Sequence, residues 1–228
     1  MKAVRKRPAS VAKWKGNQDM KAARKRPASV AKLTSHMKPT GCGEVRQRAL
    51  KRVSKNGLAL RNVSGAAHFK RDPEVVLAAV AQNGLALELA ATEMRSTHEI
   101  VLAAVSNNGW ALEFASEELR SNHEIVLAAV SNDGWALKFA SEELKSNHQV
   151  VLTAVSEDAE ALVHAAAELK SNYEIVKTAV SRDGQALDHA APDLKSNSEI
   201  VMAAVEQDPD ALLLAADELL EDEAFAVE

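Results

Sequence analysis

The sequence of 228 residues is poor in cysteine and in aromatic side chains, and it contains no long apolar run. Cys42 is the single cysteine, so no disulfide can form within the chain, which is typical of a reducing compartment. Aromatic residues make up 4% of the chain, so Ala, Val and Leu must build the core, which favours thin, closely packed helices. No segment approaches the roughly 20 apolar residues that span a bilayer, and no apolar stretch indicates a secretory signal.

Charge is distributed unevenly along the chain. Residues 1–72 hold 20 Lys/Arg and 3 Asp/Glu, a net charge of +17, whereas residues 73–228 hold 8 Lys/Arg and 29 Asp/Glu, a net charge of −21. Such a split indicates a basic arm attached to an acidic body.

The basic end contains a repeat of its own. Residues 1–14 and 20–33 are identical at twelve of fourteen positions. They are rich in Lys, Arg, Ala and Ser, and Pro8 and Pro27 interrupt any helix. Because so few large apolar residues cannot offset the loss of chain entropy, we expect residues 1–45 to form a disordered basic arm.

A second repeat, of 25 residues, fills residues 73–222. Residues 46–72 form a degenerate copy, called the cap copy below, in which Arg52 replaces an Ala of the other copies; we expect it to close the N-terminal end. Residues 223–228 form an acidic C-terminal tail. The six regular copies are numbered one to six, and they begin at Pro73, His98, His123, His148, Tyr173 and Ser198.

The apolar positions within each copy predict a hairpin of two short helices. In copy two, apolar residues recur at helical spacing and place one face of each helix in the core. Hairpins this short are marginal alone, so stacking must stabilise them. The sequence therefore predicts an all-α fold, an α-solenoid of six to seven short helical hairpins. The core residues of copy two are Ile100, Val101, Ala104 and Val105 in the first helix and Ala111, Leu112, Ala115 and Leu119 in the second.

Two local signals predict where the first helices begin and end. A Ser followed three residues later by Glu, as in Ser121 and Glu124, predicts a capping box with Ser as the N-cap residue. The glycine at the turn, Gly109 in copy two, predicts a residue with positive φ that ends the first helix.

The string EIVLAAVSNNGWALEFASEELRSN, which begins at Glu99, resembles the tandem repeats of the domain-of-unknown-function family number 4116. The resemblance covers roughly residues 73–222 and is most specific over Glu99–Asn147. It implies a helical repeat fold and implies no activity. Copies four to six depart from the pattern at Ala159, His164, His189 and Pro209.

Aromatic residues mark one candidate contact surface, called the aromatic strip below. On a wheel at 100° per residue the Trp position lies about 150° from the core face, and copies four to six place Glu160, Gln185 and Asp210 there. We therefore expect the Trp side chains to be at least half exposed and to contact a partner protein. The alternative is that each indole packs over the neighbouring copy. The strip comprises Leu85, Leu89, Trp110, Phe114, Trp135 and Phe139.

The basic arm carries a second set of candidate residues. The clusters Arg5-Lys6-Arg7 and Arg24-Lys25-Arg26 are typical of nuclear-localisation or nucleic-acid-contacting segments. Ser10 and Ser29, three residues after each cluster, resemble basic-directed phosphorylation sites. The alternatives are an organelle transit peptide, a segment that contacts the acidic repeats, and a solubilising tail. The expected location is intracellular, in the nucleus, or in the cytoplasm or an organelle if the arm is a transit peptide.

No pattern of catalytic, cofactor-binding or metal-ligating residues stands out. His98, His123 and His148 recur at one repeat position, but stacked helices would hold them roughly 10 Å apart, too far to share an ion. We therefore expect no enzymatic activity, no cofactor, no metal and no membrane span. The sequence predicts a protein-interaction scaffold or adaptor, or alternatively an architectural nucleic-acid-binding protein that uses the arm.

Overall fold

A computed structural model describes residues 43–63 and 65–220, and this part of the chain contains helices and turns but no strand. The cap copy and copies one to six fold in the same way, each as a long α-helix, a 3₁₀ helix and a short α-helix. The predicted all-α repeat solenoid is thereby confirmed. The first helix begins at Gly43, so the predicted arm lies outside the described residues except for its last three; the acidic tail lies outside them entirely.

The three kinds of helix recur with the period of the sequence. The long helices are Gly43–Val53, Pro73–Gln82, His98–Asn107, His123–Asn132, His148–Glu157, Tyr173–Val180 and Ser198–Gln207. The 3₁₀ helices are Gly57–Asn62, Gly84–Leu89, Gly109–Phe114, Gly134–Phe139, Ala159–His164, Gly184–His189 and Pro209–Leu214. The short helices are Ala66–Phe69, Thr92–Arg95, Glu117–Arg120, Glu142–Lys145, Ala167–Lys170, Pro192–Lys195 and Asp217–Leu220.

Long helices pack against the long helices of adjacent copies, and 3₁₀ helices pack against 3₁₀ helices, so the stack has two layers. The predicted core positions are confirmed, because the eight core residues named for copy two each expose at most 7% of their surface. The same positions are buried in the neighbouring copies, except that Met94 and Leu169 at the Leu119 position are partly buried, and together they form one continuous core along the stack.

The predicted second helix is broken in two, and this part of the prediction is wrong. Ala115 separates the 3₁₀ helix from the short helix in an extended conformation, with φ −69° and ψ 157°. The break turns the next amide towards the preceding copy, where the Ser116 N–H donates to the Arg95 carbonyl oxygen at 3.0 Å. Equivalent bonds join the other pairs of copies, from Ala91 to Lys70 through Ala216 to Lys195. Hydrogen bonds between copies thus replace bonds within a longer helix.

The glycine at the turn is needed for a reason other than the predicted positive φ. Among the described residues only Gly65 has a positive φ. Asn108 ends the long helix in an extended conformation, with φ −153° and ψ 114°. A Cβ on Gly109 would lie 2.6 Å from the carbonyl oxygen of Ala129 in the next copy. The close approach of that copy, rather than backbone strain, excludes a side chain.

Two copies depart from glycine at this position. Ala159 in copy four is buried. The long helix of copy five, Tyr173–Val180, has 8 residues, whereas the long helix of copy four has 10. Pro209 in copy six is exposed, because no described copy packs on that side of it. Leu212 of copy six is likewise 38% exposed, whereas its equivalent Leu112 is fully buried.

Asparagine caps the long helices of copies three to six, and the predicted Ser cap is wrong by one residue. Asn122 Oδ1 accepts a hydrogen bond from the Ile125 N–H at 3.2 Å. Ser121 instead ends the preceding short helix, and its Oγ donates to the Glu117 carbonyl oxygen at 3.2 Å. The Ser therefore marks the end of one helix, and the Asn marks the start of the next.

We expect Asn122→Ala to lower the free energy of unfolding by about 1 kcal/mol, because the Ile125 amide loses its acceptor. Ser121→Ala is the matched control: it removes an exposed bond and should change the free energy by less than about 0.5 kcal/mol. Denaturant unfolding followed by circular dichroism compares the two variants. A greater loss for Ser121→Ala would contradict the assignment of the cap.

Candidate interaction surface

The aromatic strip lies on the layer of 3₁₀ helices. Side chains three residues apart eclipse on such a helix, so Trp110 shares its side with Glu113, and Trp135 with Lys138. Trp110 exposes 38% of its surface, while Trp135 and Leu85 are half-buried. The Trp side chains are thus less exposed than the predicted half, because the helical wheel assumed an α-helix where the chain forms a 3₁₀ helix.

Trp110 is held by the following copy. Its indole Nε1 donates to Asp133 Oδ2 at 2.8 Å, and Asp133 Oδ1 accepts from the backbone N–H of Trp135 at 3.0 Å. Its ring meets Phe139 edge to face, with 5.5 Å between centroids and an interplanar angle of 67°. The indole therefore packs over the neighbouring copy, as the alternative interpretation expected, while part of it stays exposed.

The other members of the aromatic strip are covered to different degrees. Leu89 exposes only 8% of its surface and belongs to the core, so it is not available to a partner. Phe114 and Phe139 are partly buried and pack against the core. Leu85, Trp110 and Trp135 are the members of the predicted strip that neither belong to the core nor pack against it.

The strip meets copy four at His164, which occupies the position of Phe114 and Phe139. The Trp135 and His164 rings lie edge to face, 5.0 Å apart between centroids and at 74°. Burial lowers the pKa of His164, and the nearby cations Lys138 and Lys145 lower it further. The His164 Nε2 is buried and has no hydrogen-bond partner among the described residues. These surroundings favour a neutral imidazole that takes the place of a phenyl ring.

Because of His164, we expect the chain to lose stability as the pH falls below about 6.5, the ordinary pKa of histidine. The pKa of His164 is lower in the folded than in the unfolded state, so the unfolded state binds more protons between the two values and is favoured there. His164→Phe restores the residue of copies two and three and should remove this part of the pH dependence. Thermal unfolding over a range of pH measures it, and identical profiles for both proteins would contradict this account.

A protein-family model matches the chain five times, in overlapping segments that follow the 25-residue repeat. The family model described as domain of unknown function (DUF4116) matches residues 46–95, 97–145, 122–170, 147–195 and 172–220. The chain belongs to the DUF4116 family. The match begins at residue 46 and so includes the cap copy, which lay outside the resemblance seen in the sequence. No curated protein and no solved structure matches the chain.

The cap copy of this DUF4116 chain extends the accessible strip by one residue that the sequence analysis missed. Leu58 occupies the repeat position of Leu85 and Trp110, and it exposes 43% of its surface. The signal was present in the alignment of KNGLAL at 55–60 with QNGLAL at 82–87. Below, Leu58, Leu85, Trp110 and Trp135 are called the exposed strip.

The candidate residues of the arm cannot be placed beside this surface, because they lie outside the described residues. They are Arg5, Lys6, Arg7, Arg24, Lys25 and Arg26, with Ser10 and Ser29.

Two of the three recurring histidines contact acidic residues of the next DUF4116 copy. His98 Nε2 lies 3.4 Å from Glu124 Oε2, and His148 Nε2 lies 3.4 Å from Glu174 Oε2. Each contact joins the first turns of two adjacent long helices. Within residues 43–63 and 65–220, no group of three His, Cys, Asp or Glu residues could hold a metal ion. No helix in these residues is both long enough and apolar enough to cross a bilayer.

Copy five replaces this histidine by Tyr173. Lys177, one turn further along the same helix, donates to the Tyr173 hydroxyl oxygen at 3.1 Å and to Glu199 Oε1 at 2.5 Å. The hydrogen bond between Lys177 and Glu199 raises the pKa of the lysine and lowers that of the glutamate. Copy five thus carries a charged group in the middle of its long helix.

Proposed function

We propose that the protein is a non-enzymatic interaction scaffold whose exposed strip contacts another protein. The supporting observation is that one repeat position is apolar in the cap copy and in copies one to three, but polar in copies four to six. Glu160, Gln185 and Asp210 occupy it there, and those copies stack with the same architecture. Stacking therefore does not require an apolar residue at this position, and this supports a contact with another protein as the role of the exposed part of these side chains.

The way Trp110 is held supports this proposal. Its indole is fixed by the bond to Asp133 and by the Phe139 ring, yet it keeps 38% of its surface exposed. A side chain that is already ordered loses little conformational entropy when a partner binds. Tryptophan is also among the residues that contribute most to protein interfaces.

The placement of polar groups supports the non-enzymatic part of the proposal. Every polar or charged side chain that the structure describes is at least partly exposed. Catalytic acids and bases are tuned largely by burial and by converging charges. His164 is tuned in this way, but its Nε2 has no hydrogen-bond partner among the described residues. The other charged groups lie along the outside of the stack.

The double variant Trp110→Gln with Trp135→Gln tests the role of the strip. Gln is native at this position in copy five, where Gln185 Nε2 donates to Asp208 much as Trp110 donates to Asp133, so the fold should persist. Quantitative affinity purification of the full chain should enrich a set of proteins that the double variant loses. Direct binding of a purified partner should weaken at least about tenfold, the scale of one lost anchor.

The matched control changes the same position in the other half of the stack. Glu160→Gln with Gln185→Ala alters two exposed polar residues and should leave partner recovery unchanged. Recovery of the same partners by both double variants would rule out the exposed strip as the contact surface.

An architectural role in binding nucleic acid is the second candidate function. The cap copy supports it, because Arg48, Lys51, Arg52 and Lys55 are all exposed and continue the basic composition of the arm into the described region. Each cation can neutralise a phosphate and release a counterion.

Substitution of both arm clusters tests this second candidate. Replacing Arg5-Lys6-Arg7 and Arg24-Lys25-Arg26 by Gln should flatten the salt dependence of binding to duplex DNA or RNA. The same variant in a fluorescent fusion reports whether these clusters direct the chain to the nucleus. Absent or salt-independent binding by the unaltered chain would eliminate the nucleic-acid role.

A further inference from the structure

The middle of the long helix is apolar around its whole circumference in copies one to three, and in copy four it is interrupted only by Thr153. Residues 100–105 read IVLAAV, and residues 75–80, 125–130 and 150–155 read VVLAAV, IVLAAV and VVLTAV. In each, the first, second, fifth and sixth of these residues are buried. The third and fourth lie on the opposite side and are only half-buried. A helix that is apolar all round belongs in buried surroundings, and this outward side has none among the described residues.

The outward residues line up across the stack because the long helices are neighbours. The third residue in each of copies one to four is Leu, and these four side chains, called the leucine row below, partly cover the core. The fourth residue is the smaller Ala or Thr, and it is half-buried in each copy. The leucine row consists of Leu77, Leu102, Leu127 and Leu152.

Copy five shows that the stack itself does not need leucine at this position. Lys177 replaces it, and its ammonium group reaches across to Glu199 of copy six. The flanking core positions Val176 and Val180 remain fully buried. The cap copy and copy six also carry apolar residues at this position, Leu50 and Met202, so an apolar residue there is common along this surface but is not a requirement of helix stacking.

The two edges of the leucine row differ in charge. Glu99 and Glu124 lie three residues before Leu102 and Leu127, hence on the same helix face, and both are exposed. Glu74 holds the equivalent place in copy one, where Arg46 pairs with it at 2.8 Å. The other edge, four residues after each Leu, is uncharged and carries Ala81, Ser106, Ser131 and Ser156. In copies two and three the face is thus apolar in the middle and acidic along one side, where Glu124 also lies 3.4 Å from His98 Nε2. Copy four carries the uncharged Gln149 at this edge.

We propose that this face binds a basic amphipathic helix of another protein. The apolar side of that helix would lie on the leucine row, and its Lys and Arg side chains would pair with Glu99 and Glu124. Four long helices at the usual spacing of 8–10 Å extend over roughly 25–30 Å, the length of a helix of about 16–20 residues. The inference rests on the proposed scaffold role, but it names a different surface and the chemistry of its partner.

A peptide of Leu and Lys tests the proposal directly. The probe is a fluorescent amphipathic helix of about 20 residues, and the matched probe carries Glu in place of each Lys. The full-length protein should bind the Lys peptide saturably, bind the Glu peptide at least tenfold more weakly, and lose affinity for the Lys peptide as salt rises. Fluorescence anisotropy measures each dissociation constant.

Two double variants test the leucine row and the acidic edge, and the first of them also adds two positive charges to the face. Leu102→Lys with Leu127→Lys copies the native residue of copy five and should weaken binding of the Lys peptide at least tenfold. Glu99→Gln with Glu124→Gln should weaken it several-fold without altering the leucine row. Glu206→Gln with Asp210→Asn removes two charges from copy six and should leave binding unchanged, which separates a specific face from general attraction to an acidic protein.

The proposal fails if the two peptides bind alike, or if the lysine variant binds the Lys peptide as tightly as the unaltered protein. It also fails if the lysine variant converts a dimer of the full chain into monomers, since the row would then be covered by a second copy. Trp110→Gln with Trp135→Gln should bind the Lys peptide normally. If the Trp variant lost its natural partners while the lysine variant kept them, the exposed strip would be the contact surface and the present inference would be overturned.

Discussion

Leu137→Ala should lower the free energy of unfolding by about 2–5 kcal/mol, the range for truncating a fully buried leucine. Leu137 is fully buried in copy three, in the middle of a core that continues through the neighbouring copies. Truncation leaves a cavity that helices packed on both sides cannot close. Denaturant unfolding followed by circular dichroism measures the loss.

Leu212→Ala is the control for this prediction. Leu212 holds the same repeat position in copy six but is 38% exposed, so its truncation should cost about 1 kcal/mol or less. If the two variants lost equal stability, the core would not be continuous across copies as described.

Gly109→Ala should lower the free energy of unfolding by about 1–3 kcal/mol, the usual cost of overpacking. The added methyl group would lie 2.6 Å from the Ala129 carbonyl oxygen, and the two copies must separate to admit it. Thermal unfolding at fixed protein concentration measures the effect.

Gly43→Ala is the matched substitution at a glycine with free space. No atom lies within 4 Å of a Cβ at Gly43, and alanine loses less conformational entropy than glycine on folding. This variant should be unchanged or slightly more stable. A stabilising effect of Gly109→Ala as well would contradict the close contact between copies.

The sequence predicted the repeat, its phase and its core because all three depend on which residues are apolar. The spacing of Ile100, Val101, Ala104 and Val105 is enough to place one face of a helix inward. The same reasoning found Ala111, Leu112, Ala115 and Leu119, although the segment that carries them is not one helix. Burial could therefore be predicted even where the secondary structure could not.

The break at Ala115 could not be predicted from one copy, because its cause lies in another. The Ser116 amide gains a partner in Arg95 of the preceding copy, and no local pattern reports that bond. The role of Gly109 escaped prediction for a similar reason: glycine at a turn usually signals a positive φ, whereas here it admits the Ala129 carbonyl oxygen. Contacts between copies override the local rules at both places.

The aromatic strip was predicted in the right region but with the wrong exposure. The wheel treated residues 109–114 as an α-helix, so it could not show that Trp110 would reach Asp133 and Phe139 in the next copy. The leucine row was missed because Leu102 lies between core positions and shares their apolar character. The spacing that places Ile100 and Val101 inward also places Leu102 outward, but it does not show that no other described copy covers this side.

Pro209 limits how such an array can grow. Every new 25-residue unit must present a carbonyl oxygen to the turn of the unit before it, and a glycine there receives it without collision. If copy three were duplicated, the carbonyl oxygen of the added unit would face Gly109 of copy two. The glycine at its own turn, equivalent to Gly134, would face the carbonyl oxygen of the copy that follows. A unit joined after copy six would press its carbonyl oxygen against the ring of Pro209. Tandem duplication is therefore compatible with the copies that carry glycine at the turn and is disfavoured directly after a copy that carries proline there.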